Sequence, residues 1–562
     1  MKHLNKINIF LIIGLLSLAI ISQFFFFRID LTSEKKYSIS VQTKKLLKNT
    51  ESELNMTVYL SGDLNPGFLH LKKATRDMLE EMSVYTNKGI SIVFKNPSEA
   101  PSNEAREQKY AELEAQGMNP TAIYERDKEG KSIQKIVFPW LKIEYKNKAV
   151  YVNLLKNIRG NSGDENLNIS IENLEFAITD GIRQILNTKI SKIAFLEGQG
   201  ELTEAETYDI TKSLSHYFQI DRGVLSNDAT VLNNYQAVII AKPTKPFSES
   251  DKYIIDQYIM NGGRVLWLID GVKLAAENLS KTGTSPVIDL DLNLSDQLFK
   301  YGFRINPDLL QDVQCVSVPV NIAPANAQPQ FEPTPWYYAP LLLTSYEHPI
   351  TKNVSEVMGQ FTSSIESVGK NPEVKSTLLL ATSDNTHIIP VPATIDLADM
   401  PDPKDKNYFN QSYIPVAILA EGIFESCFQN RLKPQEITTA FPFMKKSINT
   451  RQIVIADGDI IRNETTGIAS DSTTIPLGLD RYTNQQFGNK EFIQNAVLYL
   501  TDEEGWLQLR SRTFKLRLLN KSLISNEKTL WQVVILGSPL LLLFITSLFV
   551  NYNRRKKYTK IN

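Results

Sequence analysis

Lys192-Ile193-Ala194-Phe195-Leu196-Glu197-Gly198-Gln199-Gly200-Glu201 reads as an apolar strand running straight into a glycine-rich loop. Thr203 and Glu206 follow at the spacing of a capping box, which opens a helix by satisfying two of its orphan backbone donors. The pattern then repeats. Residues 235–241 form a second apolar run, and Ser248 and Asp251 open a helix carrying Ile254, Ile255, Tyr258 and Ile259. Gly262-Gly263 leads into a third run, residues 264–270, ending at Asp270. Strands with no polar face must be covered on both sides, so their alternation with amphipathic helices predicts a parallel, doubly wound sheet.

Upstream, residues 56–60 and 90–94 have strand character, and Phe68, Leu71, Met78, Leu79, Met82 and Tyr85 recur at helical spacing between them. A charged helix follows at 104–116, then β-rich runs at 133–145 and 149–155 around a Lys146-Asn147-Lys148 turn. Ile171, Leu174, Ile178, Ile182 and Ile185 mark a closing helix. The order β-α-β-α-β-β-α predicts a thioredoxin-like domain, and it contains no cysteine, which leaves it a scaffold or docking role. Downstream, residues 376–382, 413–420 and 451–459 have strand character. Residues 319–340 carry six prolines and read as a long ordered loop or an insertion. A helix is expected from Gly488 to Leu500.

The 562 residues carry 61 Lys and Arg against 62 Asp and Glu, a net charge of −1 that gives no basic footprint for nucleic acid. The averages hide the ends. Residues 7–27 lack any charge, and 21 residues at 1.5 Å each reach about 30 Å, a bilayer's hydrocarbon thickness. The Phe24–Phe27 run stands where a cleavage site would need small residues, so this segment reads as an anchor. Residues 533–550 form a second uncharged run, flanked by Trp531 and Tyr552 and followed by Arg554, Arg555, Lys556 and Lys557. The positive-inside rule puts both termini in the cytoplasm and exports the bulk, into the periplasm of a cell with two membranes.

The expected layout is therefore a cytoplasmic N-terminus and first span at 1–28, a thioredoxin-like exported domain at 29–188, and a flavodoxin-like domain with insertions at 189–500. A juxtamembrane segment at 501–530, a second span at 531–551 and a basic cytoplasmic tail at 552–562 complete it.

Chemistry is sparse. Gly198-x-Gly200 sits where such a sheet binds ligands, but Glu197 and Glu201 flank it and would repel a phosphate. It is either a tight turn or a ligand or partner loop. Asp270, Asp457 and Asp459 end two apolar strands; with Glu197 they would form a hard-cation site, or else they belong to turns. The five histidines form no HExxH or close pair, no Walker A or Gly-x-Ser-x-Gly pattern occurs, and neither Cys315 nor Cys427 lies at a nucleophile elbow. Whether the two cysteines pair is open. No catalytic residue, metal or cofactor is assigned, and the chain reads as a non-enzyme.

Several blocks together resemble a family. The exit segment Asp30-Leu31-Thr32 to Tyr37-Ser38-Ile39-Ser40, the loop 195–201, Asp457-Gly458-Asp459-Ile460-Ile461-Arg462-Asn463, Gly488-Asn489-Lys490-Glu491-Phe492 and the basic tail are similar to auxiliary, substrate-binding-type subunits of gliding-motility-associated ABC transporters, the GldG family. The likeness runs along essentially the whole chain. It implies a two-pass inner-membrane accessory subunit whose partners are a permease and an ATP-binding subunit, with the cargo unknown. It also implies that the second domain is a flavodoxin-like, degenerate class I amidotransferase-like domain without its nucleophile. Gln199 departs from the His expected in many relatives, which weakens a catalytic role for the loop. Membrane lipid or the ATPase would meet the basic tail. The rivals are a periplasmic small-solute-binding protein and a degenerate hydrolase-like enzyme using the carboxylates.

Overall fold

The computed structural model describes residues 14, 38–126, 132–186, 191–321, 323, 328–369, 371–397, 400–438, 442–466, 473–511 and 521–558. The chain divides into two compact units, Met1–Arg512 and Thr513–Asn562. The expected first span, residues 7–27, lies outside the described residues apart from Gly14, as does the basic stretch 512–520.

The first unit opens with α1 (Val41–Lys48), whose cap Ser40 accepts from the Thr43 N–H at 3.1 Å. Next come β1 (Leu54–Val58), α2 (Pro66–Ser83), β2 (Ile90–Phe94), α3 (Asn103–Ala115), β3 (Thr121–Arg126), β4 (Ser132–Val137), β5 (Trp140–Tyr145), β6 (Lys148–Asn153) and α4 (Gly163–Leu186). The sheet order is β2-β1-β5-β6, with β1 and β2 parallel and the other pairs antiparallel. Asn65 caps α2 and Pro66 enters its first turn, where a missing N–H costs nothing. Leu71, Leu79 and Met82 of α2 pack with Leu174, Ile178 and Ile182 of α4 against this sheet. The expected single run 133–145 is two strands. The break falls at Phe138-Pro139, where proline has no N–H to continue a ladder, and β4 folds back onto β3 instead.

The larger sheet begins with β7 (Ser191–Glu197), α5 (Tyr208–Leu214), β8 (Phe218–Val224), β9 (Ala237–Ala241), α6 (Glu249–Met260) and β10 (Arg264–Leu268). A long excursion carries α7 (Ala276–Thr282), α8 (Ser295–Tyr301), β11 (Cys315–Asn321), β12 (Phe331–Thr344), β13 (Val374–Ala381) and β14 (Pro415–Gly422) before β15 (Thr450–Ile455) and α9 (Asn489–Thr501). The strands β8-β7-β9-β10-β15 are parallel in that spatial order. Then β14, β13, β12 and β11 extend the sheet antiparallel, with Val357–Met358 pairing β12.

Both faces of the parallel part are covered. Ile210 of α5 and Phe492 and Val497 of α9 pack on one face, Ile254, Tyr258 and Leu298 of α6 and α8 on the other. Ser248 and Asp251 form a reciprocal capping box at α6, as their spacing predicts. Trp267, fully buried on β10, donates its indole N–H to Gln452 at 3.1 Å, which removes the cost of burying that polar atom.

The proline-rich stretch 319–340 is not a loop. Most of it is the β11–β12 hairpin, in which Pro319 stands opposite Pro333. Because β11 is the outermost strand, a proline there forfeits no ladder bond and blocks a further strand from joining.

The smaller and larger sheets meet through α4 and α9. Tyr217 donates to Asp180 of α4 at 2.6 Å, and Glu491 of α9 accepts from Lys156 at 2.6 Å and Arg510 at 2.7 Å. Burial alone would raise the Glu491 carboxyl, but these two cations overcome it and hold it down to about 2.

The second unit contains α10 (Lys521–Tyr558), 38 residues or about 57 Å long. Its stretch Glu527–Lys556 is long and apolar enough to cross a membrane. Pro539 lies inside it.

Candidate functional site

Four parallel strands deliver their C-terminal ends to one edge of the larger sheet, placing Glu197 at the end of β7, Lys242 after β9, Asp270 after β10 and Asp457 after β15. One carboxylate oxygen from each of Asp270, Asp457 and Asp459 lies within 4.8 Å of the others. Of the two readings left open for these three residues, a carboxylate cluster or separate turns, the structure shows them together. What the sequence did not reveal is Lys242 among them, its ammonium 3.2 Å from Asp270 and in direct contact with Asp459.

The backbone is shaped around this contact. Lys242 has φ of +55°, a left-handed conformation that a non-glycine residue holds only at a cost. Its N–H donates to the Leu268 carbonyl at 2.8 Å. A Cβ on Gly458 would lie 2.6 Å from Lys242 Cβ, so glycine is required by the close approach. The Gly458 N–H donates to Asp270 at 2.6 Å. Asp457 is fully buried and accepts from Thr362 Oγ1 at 2.6 Å and from the N–H groups of Gln360 and Asp459, each at 2.8 Å.

The electrostatics follow from burial and crowding. Burial, then the Asp459 and Asp270 charges, push Asp457 up to about 8 despite its donors. Burial raises Asp270 too, with Lys242 pulling against it. For Lys242, burial would favour the neutral amine, but Asp270 and Asp459 together hold it protonated above the ordinary lysine value. The oxygen set suits a hard cation. The cation position is taken by the chain's own ammonium, and the group is an internal ion network.

Glu197 does not join it. Arg222, on the neighbouring strand β8, donates to Glu197 at 2.7 Å and pairs with it. Gly198 and Gly200 have φ of +122° and +76°. The Gln199 carbonyl accepts from the Thr244 and Lys245 N–H groups at 2.8 and 2.9 Å, and a Cβ on Gly200 would stand 2.3 Å from Thr244 Oγ1. Gln199 also donates from its backbone to Glu201 at 2.8 Å and from its amide to Asp251 at 3.2 Å. Burial raises the Glu201 carboxyl. The loop is thus stapled onto the turn after β9.

Beside Asp459 opens a cavity of about 300 Å³ lined by Glu206, Gln360, Arg462, Arg481 and Asn489. Arg462, one of its lining residues, lies 3.1 Å from Glu206 and 3.4 Å from Asp459. Cys315 and Cys427 are both free. Burial pushes the Cys315 thiol up to about 12 and raises Cys427 as well, which suppresses the thiolate in each. At the other end of the chain, Arg554, Arg555, Lys556 and Lys557 all lie on α10.

Residues 191–496, which hold the larger sheet and the ion network, match the family described as ABC-type uncharacterized transport system. The chain belongs to that family. Residues 33–144 of this transport-system protein match a separate domain of unknown function, DUF7088. It is 23% identical over 385 residues to an uncharacterized protein of Borreliella burgdorferi, covering 68% of each chain. Among solved structures, the mmIFT52 N-terminal domain aligns with 56% of this chain and 99% of its own, at 14% identity and a TM-score of 0.32, too slight a likeness to bear on the fold.

Proposed function

We propose that this transport-system protein is a non-enzymatic accessory subunit of a gliding-motility-associated ABC transporter, of GldG type. In this reading it crosses the inner membrane twice, keeps both termini in the cytoplasm, and presents a thioredoxin-like and a flavodoxin-like domain in the periplasm. The permease and ATP-binding subunit are its partners, and the exported domains contact cargo or envelope components. The observation that carries the reading is the family match over 191–496 on a chain that also has an apolar helix ending in four cations.

Other features support it. The order β8-β7-β9-β10-β15 is second-first-third-fourth-fifth in chain sequence, the order of flavodoxin-like sheets. Lys242 fills the carboxylate cluster, and the half-buried Cys315 and buried Cys427 thiols are both held protonated, which fits a protein that works by contact. The cavity beside Asp459 favours small-solute binding as the second reading.

Purification of the tagged full chain in mild detergent tests the proposal. Recovery of a permease and an ATPase is expected, and their consistent absence would refute it. A reporter fused after Lys560 should read as cytoplasmic; an exported signal would overturn the topology.

A further inference from the structure

We infer that the cavity beside Asp459 binds a small organic anion, a carboxylate or a phosphate monoester, on Arg462 and Arg481. The inference rests on the small-solute reading of that cavity and adds the chemistry of the solute.

The walls come from separate places in the chain. Glu206 follows β7, and Asp459 and Arg462 follow β15. Arg481 sits at the turn of the short hairpin that pairs Leu479–Asp480 with Gln485–Gln486, just before α9. At about 300 Å³ the cavity is at the lower end of the range for small-molecule sites, which suits a compact solute. Among its described lining residues, Met358 alone has an apolar side chain, so the solute is polar throughout.

Hydrogen-bond capacity decides the sign of its charge. The acceptors of the wall are largely spent. Glu206 accepts from the Thr203 N–H and hydroxyl at 3.0 and 2.9 Å on one oxygen, and faces Arg462 at 3.1 Å with the other. Asp459 faces Arg462 with one oxygen and Lys242 with the other. The Asn463 and Asn489 amides are taken up by backbone groups. Donors, by contrast, are in surplus, because a guanidinium carries five N–H groups. Among the described residues, Arg462 meets only Glu206 and Asp459, which leaves its Nε and one hydrogen on each Nη. Arg481 donates from Nη2 to Tyr482 at 2.6 Å, which leaves its Nη1. It stands 3.6 Å from Glu464, beyond hydrogen-bond reach, so an incoming anion displaces only a loose partner there.

The lining holds three carboxylates against two guanidiniums, so recognition comes from directed donors and not from net charge. Planar arginine forks match carboxylate and phosphate oxygens. The N-terminus of α9 at Asn489, which no side chain caps, reaches the same wall, and its dipole has the same preference.

Isothermal calorimetry on the full chain in mild detergent tests the inference. Succinate and glycerol 3-phosphate are the anionic probes, glycerol the neutral one and putrescine the cationic one, at matched ionic strength. At least one anion should bind at millimolar concentration or below, with no binding of glycerol or putrescine. Arg462→Gln and Arg481→Gln should each weaken it about tenfold or more. Arg481→Gln carries the test if Arg462→Gln, which also loses the link between Glu206 and Asp459, fails to fold; the Arg481 side chain is 47% exposed. An anion that binds both variants as tightly as wild type overturns the inference. Preference for glycerol or putrescine overturns it too, while leaving the small-solute reading standing. Silence from all four probes ends both.

Discussion

Lys242→Met removes the ammonium from the carboxylate cluster while keeping an unbranched side chain of similar length. Asp270 and Asp459 have side chains only 14% and 7% exposed, so water cannot replace the lost partner. Breaking a buried pair on one side costs about 3–5 kcal/mol. With an unfolding entropy of about 2.1 cal/mol/K per residue, the roughly 310 residues around the larger sheet shift about 1.5 °C per kcal/mol, so it should melt roughly 5–8 °C lower. Three carboxylates within 4.8 Å would then be an open hard-cation site. Magnesium or calcium at about 100 times its Kd would return about 2.7 kcal/mol. The assay is thermal unfolding of the full chain with and without millimolar divalent cation, with isothermal calorimetry for binding. Wild type should show no specific shift and the variant a recovery that Asp457→Asn abolishes. A variant as stable as wild type would refute the account of Lys242 as the internal cation. An equal metal-induced shift in wild type would do so too.

Glu491→Gln should loosen the contact between the smaller and larger sheets. The Glu491 side chain is 32% exposed, so screening trims the loss to about 1–2 kcal/mol, read by hydrogen exchange along α4. Its folded pKa is depressed to about 2, so its contribution is full above the unfolded value of 4.5 and should fade as pH falls from there through 2. Asp457 has the opposite sign. Its folded pKa is raised to about 8, so its contribution is greatest below the unfolded 3.8 and is lost as pH rises through 8, a slope that Asp457→Asn should flatten in melting curves. Gly200→Ala forces a side chain into a left-handed residue and against Thr244, and should destabilise by about 1–3 kcal/mol in denaturant titration. The buried Cys427 should react with a maleimide at pH 8 only on unfolding; fast labelling of it in the native chain would contradict its burial and raised thiol pKa.

The parallel strands were legible because burial on both faces leaves an uninterrupted apolar run, as in 192–197 and 264–268. The convergence of Asp270, Asp457 and Asp459 was half legible: polar residues just beyond such runs share one sheet edge, but Asp-Gly after a strand reads equally as a turn. Lys242 was not, because a single lysine after an apolar strand looks like any solvated end, and its role depends on strand neighbours far apart in sequence. Glu197 misled because Arg222 captures it across the β7–β8 register, where Phe195 faces Arg222. The β11–β12 hairpin was hidden by proline content, which argues against a central strand but not against an edge. Residues 133–145 misled for the reverse reason, an apolar run whose single proline outweighs its continuity.

The order of the strands sets a timetable for the nascent chain. Trp267 of β10 finds its partner Gln452 185 positions later, across the whole excursion that carries β11 to β14. At about 5–20 residues per second, roughly 10–40 s of synthesis separate one from the other. Throughout that interval β10 presents an unpaired apolar edge, the kind of surface that recruits stray strands. Holdase chaperones and the speed of chain delivery, more than final stability, should then govern how much of this protein reaches its folded state.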